Sequence, residues 1–60
     1  MQVQVNGTTL QVASADQARR AAARWLANAE EWEPGSAERL HCLAVAEAMT
    51  KAATQMERAN

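Results

Sequence analysis

Apolar and polar side chains alternate through residues 1–13, on both sides of the pair Asn6 and Gly7. Strict alternation gives a β-strand one apolar face, and Asn-Gly tolerates the positive φ angles of a type I′ turn. A two-residue turn sets the register, which pairs Val5 with Thr8, Val3 with Leu10, and Met1 with Val12. The pattern predicts a β-hairpin with its large apolar side chains on one face and its glutamines on the other.

The spacing of apolar residues changes to three and four after this hairpin. The new stripe consists of Ala15, Ala18, Ala22, Trp25, Ala29 and Trp32, which share one face of a helix. Ser14 followed by Gln17 is a capping box, in which the serine oxygen accepts from the third helical N–H and the glutamine reaches back to the cap. Pro34 lacks a backbone donor and Gly35 accepts the angles of a reversal, so the first helix is predicted over residues 14–33.

A second helix is predicted over residues 36–57, with Ser36 as N-cap and Glu38 complementing the helix dipole. Its main stripe is Cys42, Val45, Met49, Ala52 and Met56, which Leu43 and Ala46 extend, and a second set lies on another side: Ala37, Leu40, Ala44 and Ala48. The front half of this helix is apolar nearly all round, which is typical of burial on more than one side. The chain beyond Met56 is expected to fray.

These elements predict one mostly helical α+β domain over residues 1–60, with an N-terminal β-hairpin packed on an antiparallel two-helix hairpin (ββαα). The core is small, because fifteen of the 60 residues are alanine and a chain of this length buries only about 60% of its unfolded surface. A single cysteine provides no disulfide framework. Such a chain needs very good helix packing or oligomerisation, and we favour a homodimer.

The hairpin edges lack the usual protection against pairing with other chains. Residues 1–13 contain no charged side chain and no proline, although open edges usually carry one or the other. Either one edge pairs with a second copy or with a strand of a target, or a helix or loop of the same chain covers it. The sequence leaves these alternatives open.

The residue types needed for catalysis or metal binding do not come together in this sequence. His41 and Cys42 are adjacent, so on a helix they point about 100° apart and cannot converge on one metal or form a nucleophile-base pair. Cys42 is interpreted as a core residue and His41 as a surface residue. We predict no enzyme activity, cofactor or metal. With no long apolar run and no signal-peptide pattern, we expect a cytoplasmic protein of a bacterium or its virus.

Tryptophans and charges provide the candidate binding residues. Trp25 and Trp32 lie seven positions apart, which favours a place in the core, with an interface anchor as the alternative. Basic residues collect at one end of the helical hairpin (Arg19, Arg20, Arg24, Lys51 and Arg58), and acidic residues at the Pro-Gly end (Glu30, Glu31, Glu33 and Glu38). The acidic end either meets a basic patch on a target or is a solvated surface with no ligand.

Two functional hypotheses follow from these observations. The first is a non-enzymatic protein that binds another protein as an inhibitor or adaptor, through Trp25, Trp32, Glu30, Glu31, Glu33 and Leu40. In scale, and in lacking a catalytic set, the chain is similar to small phage or mobile-element inhibitors of host proteins, which would place it in the host cytoplasm.

The second hypothesis is a dimeric DNA-binding repressor or antitoxin. The order of Thr8 to Val12, a helix from Ser14, and Gly35-Ser36 before a second helix resembles the ribbon-helix-helix proteins, whose paired strands enter the major groove. The resemblance implies Arg19, Arg20 and Arg24 as nucleic-acid contacts. The predicted strand nevertheless belongs to an intrachain hairpin and carries no basic residue, the first helix is longer than the resemblance needs, and the net charge is -1. The sequence therefore does not favour nucleic acid.

Overall fold

The computed structural model describes residues 1–59 and contains two strands and two helices: β1 (Gln2–Val5), β2 (Thr8–Gln11), α1 (Ala15–Ala29) and α2 (Ala37–Ala59). The strands form an antiparallel hairpin, and the two helices pack against each other. The predicted ββαα fold of the α+β class is confirmed.

The hairpin has the predicted register. Val5 faces Thr8 and Val3 faces Leu10 across the strands. Asn6 and Gly7 both have positive φ angles, 49° and 83°, as a type I′ turn requires. The local signals of alternation and turn chemistry were sufficient to predict this element.

Helix α1 begins as predicted, with one change in the capping box. The Oγ of Ser14 accepts a hydrogen bond from the N–H of Gln17 at 3.1 Å. The side chain of Gln17 reaches back to the N–H of Ala13 at 2.6 Å, one residue before the expected partner. Both bonds satisfy backbone donors at the start of the helix, where no carbonyl of the helix itself can do so.

Helix α1 ends at Ala29, four residues before the predicted end at residue 33. The N–H groups of Glu31 and Trp32 bond to carbonyls three residues back, those of Asn28 and Ala29, instead of four. The three acidic side chains that follow Ala29 oppose the negative end of the helix dipole, and no basic residue in the last turn offsets them. The segment 30–33 is therefore a series of tight turns.

The reversal at Pro34 is a type II turn. The N–H of Ser36 donates to the carbonyl of Glu33 at 3.1 Å, and Gly35 has a φ of 82°, the positive angle that this turn needs at its third residue. Ser36 then caps α2, since its Oγ accepts from the N–H of Arg39 at 3.2 Å. The predicted cap is confirmed.

Helix α2 is longer than the predicted 36–57. It runs to Ala59, so the expected fraying after Met56 is wrong for residues 57–59, and Asn60 lies outside the described residues. Two charges stabilise this end: Arg58 complements the helix dipole, and Glu57 bonds to α1.

The core lies between the helices and under the hairpin. Its buried apolar residues are Val5, Val12, Ala18, Ala22, Ala29, Cys42, Val45, Ala46, Met49, Ala52 and Ala53. The alanines allow the helix backbones to approach closely, and this close packing partly offsets the shortage of large side chains in the core. The main stripe predicted for α2 is confirmed, with Met56 at its partly buried margin.

Arg19 of α1 and Glu57 of α2 join the two helices at the end opposite the Pro-Gly turn. The Nε of Arg19 donates to Oε2 of Glu57 at 3.2 Å, and Nη2 donates to Oε1. Two further ion pairs lie within single helices, Asp16 with Arg20 and Glu47 with Lys51, as the spacing of four residues predicts. The interhelical pair could not be predicted, because its partners are 38 residues apart.

Acidification is expected to remove the contribution of Glu57 to stability. The hydrogen bond from Arg19 lowers the pKa of Glu57, because the guanidinium group favours the carboxylate form. The pKa of Glu57 is thus lower in the folded state than in the unfolded state. The pair therefore stabilises the fold fully at pH values above the unfolded-state pKa, and this stabilisation is lost as the pH falls through the folded-state pKa. The free energies of unfolding of the wild type and of Glu57→Gln, measured with urea, should therefore differ at neutral pH and become equal in acid. A difference in the free energy of unfolding that is independent of pH would contradict the role of the Glu57 carboxylate. Arg19→Gln, which removes the other partner of the pair, is the matched variant.

Candidate protein-binding surface

Large apolar side chains are exposed mainly at the Pro-Gly end of the molecule. Exposed fractions are 50% for Leu26, 44% for Trp32, 58% for Leu40 and 40% for Leu43. Leu26 lies in the last turn of α1, Trp32 in the connection, and the other two in the first two turns of α2. We define these four side chains, together with the exposed carboxylates of Glu30, Glu31 and Glu33, as the loop-end surface.

Trp32 does not belong to the core, which corrects the default prediction. That prediction required α1 to continue to residue 33, so that Trp32 would follow Trp25 on the same face. Because the helix ends at Ala29, the spacing of seven residues no longer places the two indoles together. Trp32 is instead exposed, which leaves the alternative prediction of an interface anchor open.

The backbone at Trp32 is nevertheless held in place. Its N–H donates to the carbonyl of Ala29 at 3.2 Å, and its own carbonyl accepts from Nη1 of Arg39 at 3.2 Å. These bonds tie the connection to both helices. An exposed indole on a fixed backbone loses little conformational freedom when it binds, which favours its use as an anchor.

Leu40 and Leu43 are neighbours on the outer face of α2. They are three residues apart and therefore adjacent on the helix surface. Leu40 precedes the fully buried Val45 by five positions, which places it about 140° away around the helix. The expectation that Leu43 extends the buried stripe is wrong. Within residues 1–59, nothing covers this part of the apolar front half of α2.

The charge at the loop-end surface is acidic. Glu30, Glu31, Glu33 and Glu38 are all exposed at this end. Arg39 is the basic side chain in the first turn of α2, and its guanidinium is engaged by the carbonyl of Trp32. Arg19, Arg20, Lys51 and Arg58 lie toward the other end of the helical pair, as the antiparallel packing predicts, whereas Arg24 lies in the second half of α1. The apolar side chains thus have an acidic border.

Trp25 and His41 close the core near this end. Their ring centroids are 6.0 Å apart and their planes lie at 87°, an edge-to-face arrangement. Both residues are partly buried, and Trp25 packs against the buried cluster. Trp25 is therefore mainly a core residue, and the prediction of His41 as a surface residue is only partly correct. Cys42 is buried, as predicted.

The arginines of the DNA-binding hypothesis are largely engaged within the chain. Arg19 pairs with Glu57 and Arg20 with Asp16, so carboxylates offset two of the three charges. The hairpin forms within one chain and carries no charged side chain. Among residues 1–59, no group of three or more His, Cys, Asp or Glu side chains could hold a metal ion.

Three comparisons place the chain against known proteins. No protein-family model, no curated protein and no solved structure matches it. In the part of the chain that the structure describes, no helix is both long and apolar enough to cross a membrane. What the chain binds is therefore inferred from the chemistry of its own surface.

Leu26 and Leu43 complete the surface and were not among the sequence candidates. Leu26 lies four residues after Ala22 and three before Ala29, at the margin of the alanine stripe of α1, so its spacing gave no signal of exposure. Leu43 precedes Val45 by two positions and therefore lies about 160° away around the helix, opposite the main stripe. This spacing could have identified it as exposed.

Proposed function

We propose that this chain is a small protein-protein interaction module that acts as an inhibitor or adaptor of another protein through its loop-end surface. One observation carries the proposal: three of the four leucines and one of the two tryptophans are exposed, and all of them lie at one end. The buried core contains no leucine and no tryptophan. A partner that covers these side chains would gain about 25 cal/mol for each Å² of apolar surface removed from water.

The acidic border selects the chemistry of the partner. A groove or patch that is apolar at its centre and bordered by lysine or arginine would cover the leucines and the indole while pairing with the carboxylates. Such complementarity speeds association and excludes acidic competitors more than it adds affinity. A second copy fits this surface poorly, because symmetric pairing would bring Glu30, Glu31 and Glu33 close to the same residues of the other chain.

The shape of the molecule supports a role in association. Its accessible surface is 4196 Å², whereas a compact monomer of this mass has about 3,800 Å². The extents of 38 × 21 × 14 Å show that the excess comes from an elongated form. We retain the homodimer as a prediction, with the two copies meeting away from the loop-end surface. A protein of this type would act in the cytoplasm, as small phage or mobile-element inhibitors do.

Site-specific crosslinking is expected to locate the partner on the loop-end surface. A photoreactive residue at Leu43 should form an adduct with a second protein in the host lysate. The same residue at Thr50, seven positions further along the same face of α2, should not. Trp32→Ala is expected to weaken binding of the captured protein about 30-fold, as for an aromatic anchor. Adducts of equal yield at both positions, or undiminished binding by Trp32→Ala, would contradict the proposal.

A separate experiment tests whether the carboxylates of the loop-end surface contribute to binding. Replacing Glu30, Glu31 and Glu33 with glutamine should slow association and reduce its dependence on salt, while dissociation changes less. Stopped-flow mixing with the captured protein measures both rates. If the association rate of this variant equals that of the wild type at low salt, the carboxylates are only solvated surface.

A further inference from the structure

The hairpin covers only part of the helical layer. Two paired strands lie about 5 Å apart, whereas two packed helices lie about 8–10 Å apart, so a two-helix layer is wider than a two-stranded sheet. β1 packs on α2, but no Cα of either strand lies within 8 Å of a Cα of α1. The buried Val12, just after β2, belongs to the same cluster as Ala18 and Ala22 of α1. β1 is therefore the strand that lies over α2, and neither helix approaches the backbone of β2 within this distance.

The hydrogen bonds of the hairpin identify which backbone groups point outward. The ammonium of Met1 donates to the carbonyl of Val12 at 2.8 Å, and the N–H of Val12 donates to the carbonyl of Met1 at 2.9 Å. In an antiparallel pair, such mutually bonded pairs alternate with pairs whose N–H and C=O groups face away from each other. Given the observed register, the outward groups of β2 belong to Thr9 and Gln11. Those of β1 belong to Gln2 and Gln4 by the same alternation.

The two edges differ in access. Beside β1, the side chains of Lys51 and Gln55 of α2 line a depression together with the strand. The edge of β2 has no strand beside it among residues 1–59 and carries no charged residue or proline. Leu10 of β2 packs against the core but remains partly exposed. An additional strand beside β2 would satisfy the outward groups and cover more of this side chain.

We propose that the edge of β2 accepts an extended segment of a partner protein as a third strand. The N–H groups of Thr9 and Gln11 donate to the segment, and their carbonyls accept from it. Alternate side chains of the segment face the helices, so these positions are apolar, and the segment carries no charge opposite Thr9 or Gln11. This mode of binding takes its affinity from backbone bonds and its selectivity from the alternate side chains.

A second copy does not fit this edge. Two antiparallel β2 strands related by a two-fold axis would lie on the same sheet, with both helical layers on one side of it. Each strand would lie within about 2.5 Å of the axis. Because each two-helix layer is wider than its two strands, the two layers would need more width than the joined sheet offers and would collide at the axis. A segment without a helical layer of its own avoids the collision.

A displayed library of random octapeptides tests this site independently of the loop-end surface. Selection on the immobilised full chain should enrich peptides with apolar residues at alternate positions. Thr9→Pro removes one outward N–H and leaves the hairpin's own bonds intact, so it should weaken the selected peptides about fivefold, as should Gln11→Pro. Gln2→Pro makes the same change on the other edge and should leave binding unchanged, as should Leu40→Ala at the loop-end surface.

Amide hydrogen exchange provides the second measurement. The amides of Thr9 and Gln11 should exchange at least tenfold more slowly with a selected peptide bound, while those of Gln2 and Gln4 do not change. Far-ultraviolet circular dichroism establishes that each proline variant is folded. The proposal is overturned if the library yields no such peptides, if Gln2→Pro weakens them as much as Thr9→Pro, or if Thr9 and Gln11 become protected with rising protein concentration alone, which would identify a second copy as the occupant.

Discussion

Replacing Met49 with alanine is expected to lower the free energy of unfolding by about 3 kcal/mol, the range measured for truncation of long apolar side chains in cores. Met49 is 2% exposed and is the only methionine, leucine or tryptophan among the buried residues of the structure. Its neighbours in the core are mostly alanines and valines, which cannot extend into the space it leaves. Because a domain of this size rarely has more than about 3–5 kcal/mol in total, the variant should be largely unfolded at moderate temperature.

Urea denaturation monitored by circular dichroism measures this effect, and Leu40→Ala provides the matched control. The control removes a side chain of similar size that is 58% exposed. It should change the free energy of unfolding by less than about 0.5 kcal/mol. Equal losses for the two variants would show that Leu40 is covered in solution, as in a self-associated state, and that the described core is incomplete.

Enlarging Ala18 to leucine is expected to destabilise the fold by about 2 kcal/mol through overpacking. Ala18 has no accessible surface and lies in the cluster that includes Val45 and Ala53. A leucine there can be accommodated only if α1 moves away from α2 or other side chains leave their preferred rotamers. The interhelical bond between Arg19 and Glu57 lies next to this position and would be strained by the same movement.

The matched control for this change is Ala23→Leu, on the exposed side of the same helix. It makes the identical chemical substitution and should alter stability by less than about 0.5 kcal/mol. Thermal unfolding of the two variants separates a packing effect from any effect of helix propensity. If Ala18→Leu is as stable as the control, the helices are not packed as closely as the structure describes.

The sequence predicted most of the fold because the decisive signals are local. Asn6 and Gly7 determine the turn and, with it, the register of the strands. Ser14 and Ser36 mark the starts of the helices through bonds to residues only three positions away. The end of α1 was harder to predict, because Pro34 sets a limit but not the point at which the helix gives way to tight turns.

The candidate surface was predicted only in part, because the exposure of a side chain depends on its angle around the helix and on where the helix ends. Leu40 and the acidic residues could be named from the sequence, since they lie outside the main stripes. Whether Trp32 is core or surface depended on where α1 ends. Leu43 could have been named as well, since it lies about 160° from Val45 around α2 and so opposite the buried stripe.

Both reversals of the chain, at Asn6-Gly7 and at Pro34-Gly35, join elements that are neighbours in sequence. The hairpin and the helical pair can thus each close before they meet. β1 nevertheless packs on α2, the element farthest from it along the chain, so this contact joins residues of large sequence separation, which slows folding. Until α2 has formed, the uncharged strands have no helix to cover them.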